Sequence, residues 1–199
     1  MSNKKTFIDF ETNRLHIRSV MEADKDDYMA LRVNNSNISE AYSIMPDFTD
    51  YEWDGELNGD EDIYLSVFLK SDGTFVASAS VQNYQEESVE IGYDVKEESR
   101  NVGIATEIVK GLLAEVHSLF PKSRVIIRAD YENDASKRVA EKCGGVLIRR
   151  EDSFACRMFS MTQKALETEG DDFEQSEKYA DMRALMEKGK DAVCVYELP

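Results

Sequence analysis

From Val89 to Val116 the chain runs through a strand, a short polar loop and an amphipathic helix in direct succession, and this segment limits the fold more than any other. Val89-Glu90-Ile91-Gly92-Tyr93-Asp94-Val95 has the look of a short strand. From Gly103 onward Ile104, Ile108, Leu112 and Val116 recur every four residues, which puts one apolar stripe along a helix that Phe120-Pro121 ends. Arg124-Val125-Ile126-Ile127-Arg128-Ala129, rich in β-branched residues, is a second strand. Asn133 then suits the N-cap of a helix running to Cys143, which Gly144-Gly145 terminates. Strand, helix, strand, helix in this order predicts an α/β or mixed α+β sheet.

The flanking segments extend that sheet. Leu15-His16-Ile17-Arg18 alternates as a half-buried strand does. A helix is expected from Glu22 to about Val33, followed by an acidic, loop-like region from Asn34 to Asp62 that holds the only tryptophan, Trp53. Ile63 to Leu69 and Phe75 to Val81, joined by Ser71-Asp72-Gly73-Thr74, form a hairpin. The last part is expected to be helix from Met158 to Lys188, closed by a strand at Ala192 to Leu198. No linker interrupts the chain, so 1–199 is expected to be a single domain, with 151–191 as a helical extension before the final strand.

Charge narrows the partners. The 199 residues carry 24 Lys and Arg against 40 Asp and Glu, a formal −16, while 42% hydrophobic residues are too many for a disordered chain. So acidic a chain argues against general nucleic-acid binding and against an anionic membrane surface. The charge is uneven. Residues 22–62 hold two basic and thirteen acidic side chains, whereas residues 96–150 hold eleven basic and eight acidic ones. A solubility-driven acidic surface accounts for this charge as readily as a partner does, and before the motifs both readings stand. Cys143, Cys156 and Cys194 lie far apart and suit reduced thiols in a cytoplasmic protein rather than a disulfide framework. His16 and His117 have no neighbour at ligand spacing, so no metal is expected. Neither a signal peptide nor a membrane span is expected.

The loop Lys96-Glu97-Glu98-Ser99-Arg100-Asn101-Val102-Gly103-Ile104-Ala105 leads into the long helix. A helix start presents unpaired N–H groups and the positive end of the dipole, so it suits an anion, and Gly103 and Ala105 would let a phosphate come close to the backbone. An ordinary helix start needs no ligand, and the spacing alone leaves both readings open.

Arg100-x-x-Gly103-x-Ala105 resembles the pyrophosphate-binding motif of the GNAT acetyltransferase superfamily. Asn133-Asp134-Ala135-Ser136 through Glu141-Lys142-Cys143-Gly144 is similar to a later helix of the same family, and Thr12-Asn13-Arg14-Leu15-His16-Ile17-Arg18 is similar to the opening of its ribosomal-protein N-terminal acetyltransferase branch. The three blocks are collinear over residues 12–148.

This resemblance implies a GNAT fold: a mixed, mostly antiparallel sheet with splayed central strands flanked by helices. It implies an N-acetyltransferase that moves acetyl from acetyl-CoA directly to a primary amine, with no metal. The loop Arg100, Asn101, Val102, Gly103, Ile104 and Ala105 would cradle the pyrophosphate, backbone groups of Tyr93, Asp94 and Val95 would meet the pantetheine or the thioester oxygen, and Asn133 would bond the pantetheine arm. Valine at Gly103 would clash at the loop. Arg100, Lys137 and Arg138 are candidates for the phosphates, although the last two suit a solvated helix surface as well.

Glu90 stands where relatives carry a base and is equally readable as the outer residue of a strand. Ser136 matches a serine near the donor sulfur, or a capping residue of the first helical turn. Ala140 replaces the tyrosine acid of some branches. Asn101 stands where glycine is commonest, and Gly145, in place of phenylalanine, is expected to loosen the packing behind the helix.

In this fold the first helices and the next loop face the acceptor, and here they form the acidic 22–62 block. A cationic acceptor is therefore expected: a polyamine, an aminoglycoside or a basic peptide N-terminus. Tyr42, Phe48, Tyr51 and Trp53 could line its pocket or pack in the interior. The rival is an acyl-CoA-binding interaction module with weak or no catalysis. The 151–191 segment could cover the cleft, form a homodimer contact or shield a sheet edge.

Overall fold

The computed structural model describes residues 6–35, 46–60, 62–84, 87–153, 156 and 189–199. Among the described residues eight strands form one sheet: β1 (Asp9–Glu11), β2 (Leu15–Ser19), β3 (Ile63–Leu69), β4 (Phe75–Gln82), β5 (Ser88–Val95), β6 (Arg124–Asp130), β7 (Val146–Glu151) and β8 (Val193–Glu197). Their order is β1-β2-β3-β4-β5-β6-β8-β7, antiparallel throughout except for the central β5–β6 pair. The α-helices among the described residues are α1 (Lys25–Asn35), α2 (Pro46–Asn58), α3 (Ile104–Leu119) and α4 (Asp134–Lys142).

Alternate residues of a strand face opposite sides of a sheet. On β3, Ile63, Leu65 and Val67 join the larger core, together with Ile104, Ile108, Val109, Leu112 and Val116 of α3. Tyr64 and Phe68 of the same strand pack with the smaller core built on Tyr28, Met29, Leu31, Trp53 and Phe75. So α3 and its neighbour α4 cover one face, and α1 with α2 covers the other. The α3 stripe is buried throughout, at about 1.5–3 kcal/mol for each large apolar side chain.

The smaller face is held by a polar anchor. Asp24, 6% exposed, lies in a 3-10 turn (Glu22–Asp24) ahead of α1. It accepts two 2.7 Å bonds from the Arg18 guanidinium, one from the Met21 N–H at 2.9 Å and one from the Ser66 hydroxyl at 2.9 Å. Burial opposes its charge, but the bonds from Arg18, Met21 and Ser66 outweigh it and hold the carboxyl below its ordinary pKa.

Three expectations need correction. The region expected as loop contains α2, whose buried positions Trp53 and Glu56 and half-buried Leu57 fall at helical spacing against α1. Trp53 is interior: its ring lies 5.6 Å from Tyr28 and its indole N–H donates to Glu22 at 3.3 Å, whereas Tyr51 is exposed. Tyr42 and the Phe48 side chain lie outside the described residues, as does the helix expected from Met158 to Lys188. The second correction is strand β7, where no strand was expected; it pairs with β8 as an edge strand whose first five residues are exposed. The third is Gly145, which tightens the packing instead of loosening it. A Cβ there would lie 2.8 Å from the Ala140 carbonyl oxygen and 3.1 Å from Leu198, so no larger residue fits without a shift.

Candidate active site

The splay expected of the central strands is present. The β5–β6 ladder consists of Ser88, Val89 and Glu90 opposite Arg124, Val125 and Ile126. Beyond it β5 continues to pair with β4 as far as Val95, and β6 continues with β8 as far as Asp130, so the two parallel strands part at Glu90. A cleft of about 690 Å³ opens beside this fork.

Into the cleft point the ends of both α3 and α4. Arg100 Nε donates to the Val95 carbonyl at 3.0 Å and folds the loop back on the end of β5. Asn101 and Gly103 both take left-handed backbone, at φ 63° and 87°. Asparagine is among the few side chains that tolerate this region, so Asn101 keeps a geometry that glycine would otherwise supply. The first helical bond runs from the Glu107 N–H to the Gly103 carbonyl at 3.1 Å. The amides of Ile104, Ala105 and Thr106 thus precede the helix ladder and form the positive end of a sixteen-residue helix.

A second tie fixes this loop from outside. Glu107 Oε1 accepts from the Thr12 hydroxyl at 2.6 Å and the Arg14 N–H at 2.7 Å, and its Oε2 accepts from Arg14 Nε at 2.7 Å. Arg14 Nη1 also donates to the Val102 carbonyl at 3.0 Å. Burial would raise the Glu107 carboxyl, but the bonds from Thr12 and Arg14 prevail and keep it below its ordinary range. The β1–β2 turn therefore clamps the first turn of α3 and offsets the negative charge of Glu107 at the amide end of that helix.

Of the residues singled out in the sequence, Tyr93, Asp94, Val95, Arg100, Asn101, Gly103, Ile104, Ala105, Asn133 and Ser136 all line this cleft. Val102 does not; its side chain is exposed and its carbonyl serves Arg14. The Asn133 Oδ1 accepts from the Ser136 N–H at 3.0 Å, so asparagine is the helix cap and the Ser136 hydroxyl is not. Lys137 turns away, bonded to Asp134 Oδ1 at 2.7 Å and to the Tyr131 carbonyl at 2.6 Å, whereas Arg138 and Lys142 line the cleft. A Cβ on Gly103 would meet only Arg14 Nη2, at 3.4 Å, so the protein has room for a side chain and the obstacle there is the backbone angle.

Glu90 sits at the fork on the α1/α2 face. It pairs with Arg128, which also donates to Glu151 at 3.0 Å. Burial raises the Glu90 pKa even though Arg128 opposes the shift. Tyr93 points to the other face, toward α3 and α4, and burial raises its phenol pKa, with the Ser136 side chain opposing. On the α1/α2 face a groove lined by Arg32, Glu52, Glu56, Asp60, Asp62 and Tyr64 carries four carboxyl groups against one guanidinium. The charge of Asp94, on the cleft wall, reaches the buried Glu56 carboxyl and adds to the upward shift that burial causes.

Residues 14–146 match the family model of the acetyltransferase (GNAT) domain. No curated protein sequence matches the chain significantly. Among solved structures, a GNAT-family acetyltransferase from Bacillus anthracis superposes with a TM-score of 0.62 at 18% identity, over 96% of this chain and 98% of that one. The ribosomal-protein-S5-alanine acetyltransferase from Vibrio fischeri gives 0.59 at 16% identity, over 74% and 87%. Spermidine N-acetyltransferase from Vibrio cholerae, solved with CoA and spermine, gives 0.58 at 15% identity, over 71% and 86%. At these identities the shared property is the fold. Among the described residues no helix is long and apolar enough to cross a membrane, and no cluster of His, Cys, Asp and Glu could hold a metal.

Proposed function

The chain belongs to the GNAT acetyltransferase family, and from that premise we propose that it transfers an acetyl group from acetyl-CoA directly to the primary amine of a cationic acceptor. The observation that carries this reading is the cleft itself, where the amide end of α3, the parted strands and the first turn of α4 converge. The pyrophosphate would rest on the amides of Ile104, Ala105 and Thr106, with Arg100, Arg138 and Lys142 around it. The pantetheine would take the unpaired edge of β5 along Tyr93 to Val95, as a peptide-like arm adds to a free strand edge. Asn133 Nδ2 would meet it from α4. An N–H near Tyr93 or Asp94 would face the thioester oxygen as it gains charge.

The acceptor must arrive as a free amine. A lysine-like amine of pKa about 10.4 is only about 0.04% neutral at pH 7, so a base or a water relay is needed. Glu90 is the candidate, because it stands at the fork on the acceptor face with its pKa raised toward the working range by burial. Arg128 keeps it oriented. The acidic groove between α2 and β3 would draw a cation to that side. Vibrio cholerae spermidine N-acetyltransferase shares the fold, and a polyamine fits the charge of this groove.

CoA release, followed with a thiol reagent, should be seen with polyamines, aminoglycosides or basic peptide N-termini, and should decline as salt rises. Equal rates with neutral and acidic amines at low salt would refute the cationic acceptor. Binding of acetyl-CoA with no thiol release across the panel would replace catalysis by an acyl-CoA-binding role.

A further inference from the structure

Glu90 begins a row of alternating charge, Glu90–Arg128–Glu151–Arg149, that runs from β5 across β6 and β8 to the edge strand β7. Strand register explains the row. Arg128 stands two residues beyond Ile126, the last β6 residue opposite β5, so it sits where the strands part. Arg128 and Arg149 flank the buried Val195 of β8, and Glu151 lies opposite Val193, which puts all three side chains on one face. The guanidinium of Arg128 is shared: Nη1 donates to Glu90 Oε2, and Nε donates to Glu151 Oε2 at 3.0 Å. Arg149 Nε and Nη2 each lie 2.7 Å from Glu151 Oε1. Glu151 is thus held through both oxygens and Glu90 through Oε2.

Two carboxylates divide one cation, and that division matters for a base. A guanidinium given wholly to Glu90 would hold it ionised and make it a poor proton acceptor. We propose that Glu151 is a positioning residue that sets the basicity of Glu90 through Arg128: it takes one arm of the guanidinium and opposes its charge, so that Arg128 orients Glu90 without quenching it. The inference rests on Glu90 being the base, as proposed above. In the step served, the amine nitrogen bonds to the acetyl carbon, and the carbon–sulfur bond breaks with its electron pair going to sulfur. The amine proton passes to Glu90 Oε1, directly or through water, and from there to solvent. Burial raises the Glu90 pKa, Arg128 opposes it, and Glu151 and Asp62 add to the rise. Arg32, Glu52, Glu56 and Asp60 line the groove beyond Asp62. All of these except the residue replaced stay in place in each variant below.

The test reads Glu90 itself. The full chain, isotope-labelled at the glutamate carboxyl carbons, is titrated by NMR from about pH 4 to about pH 9, with Glu90 assigned by its loss in Glu90→Gln. Glu151→Gln keeps an oxygen for the arginines but drops the charge, so the Glu90 pKa should fall by roughly half a pH unit. Arg128→Met should raise it by about one pH unit or more. If Arg128→Met does not fold, Glu151→Gln, at a half-buried edge position, carries the test. The acid limb of kcat/KM with acetyl-CoA and spermidine should move in the same two directions. A row that only covers Val195 and pins β7 would lower the melting temperature of both variants and leave the Glu90 titration in place. A Glu90 titration unmoved in Glu151→Gln overturns the proposal and leaves Glu90 as the base. A titration that moves while the acid limb stays overturns Glu90 as the base, and the proposal with it.

Discussion

Gly103→Val is expected to weaken acetyl-CoA binding by tenfold or more while the protein stays folded. The position has φ 87°, a region that costs an L-residue about 1–2 kcal/mol and a β-branched one more. Either the loop keeps its path and carries the strain, or it relaxes and the amides of Ile104 and Ala105 turn away from the anion. A loss of about 1.4 kcal/mol already corresponds to tenfold. The protein itself offers space, since the nearest atom to an added Cβ is Arg14 Nη2 at 3.4 Å. The effect therefore acts through backbone direction and the approach of the ligand. Gly103→Ala should fall between the two. Titration calorimetry with acetyl-CoA gives the comparison, and unchanged affinity in the valine variant would remove the loop from the site.

Asp24→Ala is expected to cost about 3–5 kcal/mol of stability, the range found when one partner of a buried ion pair is removed. Arg18, whose side chain is only 14% exposed, would lose both of its 2.7 Å bonds, and Met21 N–H and the Ser66 hydroxyl would lose their acceptor. For a domain of this size the melting temperature should drop by roughly 6–20 °C. The pH dependence has a definite sign. The folded-state carboxyl lies below its unfolded value of 3.8, so its contribution is present above that pH and fades as pH falls through the folded-state pKa. The wild type should lose stability over that acid window faster than Asp24→Ala does. Parallel acid profiles, or a loss below about 1 kcal/mol, would show that the cluster does not anchor α1 to the sheet.

The parts of this fold that sequence reveals are those whose pattern is local. The four-residue repeat of α3 and the Asn133 cap of α4 lie within single elements, and both are found where expected. Strand β3 shows an apolar run broken only by Ser66 within seven consecutive residues. Elements with weak patterns escape. In α2 dense acidic residues and Gly55 mask the few buried positions, Trp53 among them. In β7 the apolar residues Val146, Leu147 and Ile148 are exposed, so neither alternation nor burial marks it as a strand.

The site divides in the same way. Arg100, Gly103 and Ala105 fall in one short window, so their resemblance to the family motif is legible there, although the spacing alone leaves an ordinary helix start equally open. The Arg14–Glu107 clamp joins residues 93 positions apart, and the Glu90–Arg128 pair 38. Only the folded sheet brings them together, so no window of sequence contains the signal.

Amide-resolved NMR during titration with acetyl-CoA tests the donor placement most directly. The largest shifts are expected at Gly103, Ile104, Ala105 and Thr106, with a second group along Tyr93 to Val95 and at Asn133 and Ser136. Binding that leaves those amides unmoved, and instead perturbs the separate pocket around Asp130, Tyr131 and Arg150, would contradict it.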